Sequence, residues 1–136
     1  METSGDQPIL SPSSKYTVDR VLGEGGMKFI LRAYDTEMKR DVAMAIMPDP
    51  AGPGREAFLN EARLTASLEH PNIVPVHEIG TGLSGEPYFT MKLLSGVDLA
   101  RILDRLNAGD RHYIKRFPLQ QLIEVLMKVC DAVSFA

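Results

Sequence analysis

At 136 residues the chain has length for one domain with a core of reasonable size, and its 44% hydrophobic and 24% charged residues are those of an ordinary soluble protein. The net charge of −3, with basic and acidic residues interleaved, argues against a nucleic-acid-coating protein, and no apolar run approaches the roughly 18–20 residues of a membrane span. Cys130 is the only cysteine, which excludes a disulfide framework and a cysteine-rich zinc site. A reducing, cytoplasmic compartment fits, and the N-terminus lacks the basic and apolar regions of a signal peptide.

Residues 1–14 are rich in Ser, Pro, Gly and Asp and read as a flexible leader. Tyr16–Leu22 alternates in the manner of a strand, and Phe29–Tyr34 reads as a second one. Between them lies Gly23-Glu24-Gly25-Gly26-Met27-Lys28. Strand, glycine turn and strand is the form of a phosphate-covering flap, because glycine accepts unusual φ/ψ and lets backbone N–H groups approach phosphate oxygens. It is also, and more commonly, the form of an ordinary hairpin. After the polar connection Asp35–Arg40, Asp41–Met47 forms a third strand, ended by Pro48-Asp49-Pro50 and Ala51-Gly52-Pro53-Gly54. The short connections imply that these three strands are antiparallel neighbours.

Arg55–Leu68 has helical character, with no Gly or Pro inside, and His70-Pro71-Asn72 ends it because proline pushes its predecessor out of the α region. Ile73–Ile79 is a fourth strand whose early part, interrupted by Pro75, should be irregular or lie at an edge. Gly80–Gly85 is a turn, and Pro87–Lys92 a fifth strand. From Val97 apolar residues recur at helical spacing up to Gly109. Arg111–Arg116, a short basic cluster, reads as a solvated loop. A last helix opens near Pro118, a favourable residue at a first turn, and carries Leu119, Leu122, Ile123, Leu126, Val129, Cys130 and Val133. This apolar stripe needs a partner surface that the sequence does not provide, so the chain reads as a fragment or as a unit that docks onto something.

Two features bear on chemistry. Glu61 sits between Ala57/Phe58 one turn before and Leu64/Thr65 one turn after, on or beside the stripe that faces the sheet. An unpaired buried carboxylate costs several kcal/mol, so either a cation reaches it or it lies at the stripe's edge in solvent. On the third strand Ala43 and Ala45 share one face and leave space there, while Lys28 and Ile30 share a face of the second. If the two faces line one cavity, Lys28 is the natural cation for both Glu61 and a bound anion.

Taken together, these elements resemble the N-terminal lobe of a eukaryotic-like protein kinase of the bacterial Ser/Thr type. The resemblance rests on Gly23-x-Gly25, Val42-Ala43-x-x-Ile46, Glu61, His70-Pro71-Asn72-Ile73-Val74 and Met91-Lys92-Leu93-Leu94-Ser95-Gly96-Val97-Asp98, and it covers about residues 16–136. It implies an α+β fold: a five-stranded antiparallel sheet with one packed helix over 15–94, then, over 95–136, two helices of an incomplete helical lobe. It also implies an ATP cleft. Leu22 and Ile30 would form its roof, Ala43 would pack on the adenine and Met91 would be the gatekeeper. Backbone groups of Lys92 and Leu94 would bond the adenine edge, Asp98 would approach the ribose, and Gly23, Gly25 and Gly26 would cover the phosphates.

Two departures matter. The family expects lysine in the third strand, where Ala45 stands, and glycine at the flap's last position, where Lys28 stands. Together they resemble the with-no-lysine kinases, in which the phosphate-binding lysine has moved to the flap's end. On that reading Lys28 and Glu61 form the catalytic pair, ATP is the cofactor, magnesium is expected from the family with ligands outside this chain, and a protein hydroxyl is the substrate. No His-Arg-Asp or Asp-Phe-Gly occurs, so the 136 residues by themselves should be inactive. The alternative is a pseudokinase or free-standing lobe that binds partners, including a second copy of itself, through its exposed helices.

Overall fold

A computed structural model describes residues 12–136; the rest of the expected leader, residues 1–11, lies outside the described residues. The elements in chain order are β1 (Tyr16–Gly25), β2 (Lys28–Asp35), β3 (Arg40–Ile46), α1 (Arg55–Ser67), β4 (Val76–Thr81), β5 (Pro87–Lys92), α2 (Leu99–Asn107), α3 (Arg111–Arg116) and α4 (Leu119–Phe135). They fall into two compact units. One runs to Ser67 and resumes over Val74–Leu93; the other takes Leu68–Ile73 and Leu94–Ala136.

The first unit is a five-stranded antiparallel sheet in the order β1-β2-β3-β5-β4. Its central strands explain the sequence pattern. Val42 to Ile46 are buried without interruption, because β3 has neighbours on both edges and covered faces on both sides. One face carries Leu31, Ala33, Val42, Met44, Ile46 and Tyr88, to which Tyr16 of β1 adds its ring. The opposite face carries Ala45 and Phe89, covered by Phe58 and Ala62 of α1 and by Met47. Phe58 and Ala62 are one turn apart, as a helix laid on a sheet requires, and the Phe58 and Phe89 rings meet at 5.2 Å.

β1 and β4 are the two edges of the sheet, and side chains join them. Lys15 Nζ lies 2.7 Å from Glu78 Oε2, and the Tyr16 hydroxyl donates to the same oxygen. Side chains from the two edges thus meet over the face that carries the apolar cluster of Tyr16, Met44 and Tyr88. Gly80, paired with Tyr88 of β5, has no room for a side chain: a Cβ there would stand 2.5 Å from the Tyr88 ring. Pro12 is buried and its carbonyl accepts the Leu83 N–H, so residues 12–14, assigned from composition to a flexible leader, are instead held against the sheet.

In the second unit Asp98 caps α2 by accepting the Arg101 N–H at 2.8 Å, and Asp110 caps α3 by accepting the N–H groups of His112 and Tyr113. Arg111–Arg116 is thus a short helix and not the loop that its composition suggested, and three helices follow the sheet where two were expected. The capping aspartate after Gly109 is the physical reason. The segment 68–73 belongs with these helices: Asn72 Nδ2 donates to the Lys128 carbonyl at 3.0 Å, and His70 stacks at 5.2 Å on Phe135.

Candidate functional site

The hairpin that joins β1 to β2 turns in two residues, Gly26 and Met27, with Gly25 paired to Lys28. Only the first of the two has positive φ, +58° at Gly26, which meets the demand of a type II′ turn. Gly23 and Gly25 consequently lie in β1 and not in the turn. Nothing stands within 4 Å of where their Cβ atoms would be, so the backbone there is open to close approach. Leu22 falls in the register irregularity between Val21 and Gly23 and is 43% exposed.

Lys28 is the first residue of β2, and the ladder sets its direction. Ile30 pairs with Ala45, Arg32 with Ala43, and Ala43 in turn with Met91. Residues paired directly share a face, so Lys28, Ile30, Ala43, Ala45 and Met91 all belong to the face that α1 covers. From there Lys28 Nζ reaches Glu61, 3.2 Å from Oε1 and 3.5 Å from Oε2. Neither partner is deeply buried: the side chains keep 37% and 56% of their exposure, and Glu61 lies at the edge of the buried stripe made by Phe58 and Ala62. The pair borders a groove of about 280 Å³ between the hairpin tip and the start of α1, lined by Gly25, Met27, Met47, Gly54 and Phe58 among others.

Ala45 is wholly buried in the cluster with Phe58, Ala62 and Phe89, and Ala43 is 6% exposed. Met91 is half-buried at the edge of the same cluster. The Lys92 N–H donates to the Pro75 carbonyl at 3.1 Å. Leu94 and Asp98 belong to the second unit, where Leu94 is 62% exposed and the Asp98 carboxylate caps α2. The structure thus brings Gly25, Lys28 and Glu61 to one groove and sets Ile30, Ala43 and Met91 along the same face of the sheet.

Two arrangements escaped the sequence. Arg55, the first residue of α1, donates from Nη1 to the Pro50 carbonyl at 3.1 Å and to the Gly85 carbonyl at 2.9 Å. The second is the Lys15–Tyr16–Glu78 cluster. Burial, and then the bond to Glu78, push the Tyr16 hydroxyl up to about 12, while hydrogen bonds from Lys15 and Tyr16 hold the Glu78 carboxyl below its usual range. Nothing in a linear pattern relates residues 62 apart on opposite sheet edges.

A five-stranded antiparallel sheet with one helix across its face carries a glycine hairpin and a lysine–carboxylate pair beneath it. The chain belongs to the protein tyrosine and serine/threonine kinase family, which it matches over residues 16–136. It is 39% identical over 92 residues to the DNA damage-responsive serine/threonine-protein kinase RqkA of Deinococcus radiodurans, and 33% identical over 132 residues to the serine/threonine-protein kinase PknB of Mycobacterium leprae. These alignments cover 66% and 91% of this chain, which spans 14% and 20% of the two relatives. The kinase domain of Mycobacterium tuberculosis PknI superimposes with a TM-score of 0.63 at 23% identity, covering 90% of this chain and 48% of that one, a likeness of fold.

Proposed function

We propose that the chain is the ATP-binding portion of a protein kinase whose phosphate-binding lysine is Lys28. One observation carries the reading: Lys28 Nζ stands 3.2 Å from Glu61, while the third-strand position on the same face holds a fully buried alanine, Ala45. The open backbone at Gly23 and Gly25 fits a polyphosphate, since N–H groups there can be approached without a side chain in the way. Ile30 and Ala43 offer an apolar surface to the adenine, and Met91 stands at its inner end. With the Lys92 N–H already given to Pro75, its carbonyl is the group assigned to the adenine edge.

ATP supplies the phosphoryl group; this chain's residues bind and orient it and neutralise charge, which is most of what a kinase must do. Magnesium, which the family implies, would neutralise charge on the phosphates, and none of the residues assigned here would hold it. The acceptor is a serine or threonine hydroxyl of a protein in the cytoplasm. With no His-Arg-Asp and no Asp-Phe-Gly, the 136 residues bind ATP without transferring phosphate. In a complete kinase domain carrying this lobe, Lys28→Met abolishes transfer of radiolabelled phosphate to a protein substrate; transfer at the wild-type rate would sink the assignment. A second reading, a pseudokinase or self-associating lobe, is favoured by the exposed apolar residues of α4, Leu119 at 73%, Leu126 at 58% and Val133 at 71%.

A further inference from the structure

The groove beneath the hairpin depends on where α1 lies, and the sequence of α1 provides little to hold it. Of thirteen residues only Phe58 and Ala62 are buried. Phe58 lies in the first turn and Ala62 one turn further on, along one stripe with Leu59 partly buried beside it, so they seat the helix on the sheet and leave its roll about that stripe to be restrained. At the N-terminal end Gly54, with φ of +92°, turns the chain into the helix. Among the described residues no side chain caps that end, and the residue after Gly54, Arg55, turns its guanidinium away from the helix onto two carbonyls.

These carbonyls come from different places. Pro50 lies in the loop between β3 and α1, and Gly85 in the turn between β4 and β5. The turn is itself tied by hydrogen bonds to Glu86. Glu86 is 6% exposed; its carboxylate accepts the Ser84 N–H at 2.9 Å and its carbonyl accepts the Gly82 N–H at 2.7 Å. A Cβ on Gly82 would stand 2.4 Å from the Glu86 carboxylate, so the turn closes over a residue without a side chain. Gly85 therefore offers its carbonyl from a hydrogen-bonded turn, and Arg55 ties the end of α1 to the sheet.

Building on the assignment of Lys28 and Glu61 above, we infer that Arg55 is a positioning residue, a latch that holds α1 in the orientation where Glu61 meets Lys28. Glu61 is six residues from Arg55, roughly 9 Å along the helix. Freed at that end, α1 can roll about its axis over the Phe58–Ala62 contact, and a carboxylate roughly 5 Å from the axis moves by ~1.7 Å in a roll of about 20°, enough to take the Lys28–Glu61 pair beyond hydrogen-bond distance.

The test uses Arg55→Met, which keeps the aliphatic stem, and Arg55→Lys, which can reach one carbonyl. Hydrogen exchange of α1 amides reads the latch without any nucleotide: Arg55→Met speeds exchange about tenfold, and Arg55→Lys recovers part of the protection. In the same chain, titrated with ATP and with adenosine, Arg55→Met weakens ATP binding about three- to tenfold and leaves adenosine unchanged. In a Lys28→Met background it adds no further loss. Wild-type exchange in Arg55→Met, or an equal loss of ATP affinity in the Lys28→Met background, overturns the latch. If Lys28→Met itself leaves ATP binding unchanged, the Lys28 assignment has failed, and the exchange data alone decide on Arg55.

Discussion

Lys28→Met separates what the Lys28–Glu61 pair does for the fold from what it does for a ligand. Both side chains are more than one-third exposed, so their attraction is screened, and pairs of this kind contribute roughly 0–1 kcal/mol to stability. Methionine keeps most of the stem at the start of β2, so unfolding in urea should shift by no more than that. A bound triphosphate presents a different balance. A hydrogen bond to an ionised group is worth about 1.5–3 kcal/mol, which corresponds to about 10- to 150-fold in affinity. The expected result is therefore an intact fold with ATP binding weaker by one to two orders of magnitude and adenosine binding unaltered, measured by calorimetric titration of the two ligands side by side. Equal losses for ATP and adenosine would mean that Lys28 supports the lobe and does not touch phosphate. An unchanged ATP affinity would refute the argument outright.

Two further outcomes follow from the sheet and its edges. Gly80→Ala places a Cβ 2.5 Å from the Tyr88 ring, and the overpacking should cost about 1–3 kcal/mol in urea unfolding; full stability would show that the ring simply moves aside. The edge cluster makes stability depend on pH in two windows. Glu78 is held below its usual range, so its contribution is complete above the unfolded carboxylate value near ~4.3 and is lost as pH falls through the folded value. Tyr16 is raised, so its contribution is complete below the unfolded value near ~10 and is lost as pH rises through about 12. Lys15, raised chiefly by its bond to Glu78, follows the same alkaline course. Glu78→Gln should flatten the acid limb of a melting-temperature profile and weaken the alkaline limb without removing it, because burial by itself keeps Tyr16 raised; a profile that keeps the full acid limb would place its cause elsewhere.

The local parts of the fold were legible because each has a local cause. The three antiparallel strands followed from connections too short for a crossover, and α1 from apolar residues a turn apart between a Gly/Pro-rich loop and a His-Pro. Glu61 could not be placed by periodicity, because an edge position and a buried position differ by less than the angular scatter of an amphipathic stripe; the structure puts it at the edge, 56% exposed. Helix α3 was missed because six residues are too few to display a period, although Asp110 was the available cue. The glycines at 23 and 25 read as turn residues, while the hairpin needs only Gly26 and Met27 to reverse. Segment 68–73 was placed in the five-stranded lobe over 15–94, as a helix end followed by the start of a strand at Ile73, but Asn72 and His70 find their partners on α4. The side-chain link through Lys15, Tyr16 and Glu78 joins residues far apart in sequence at opposite edges of the sheet, which no single segment encodes.

Placing the cation on β2 has a consequence for how the lobe moves. A lysine on β3 would stand on a strand buried between two neighbours, and the hairpin tip would be free to move without it. Lys28 instead follows the two-residue loop directly, so the ammonium that meets Glu61 is carried by the hairpin itself. Displacing the hairpin displaces the ammonium, and displacing α1 withdraws the carboxylate. Arg55 holds the helix side of this pair, and the Gly25–Lys28 pairing holds the hairpin side. The position of the flap and the orientation of the helix thus become one coordinate. A lysine on β3 would leave them as two.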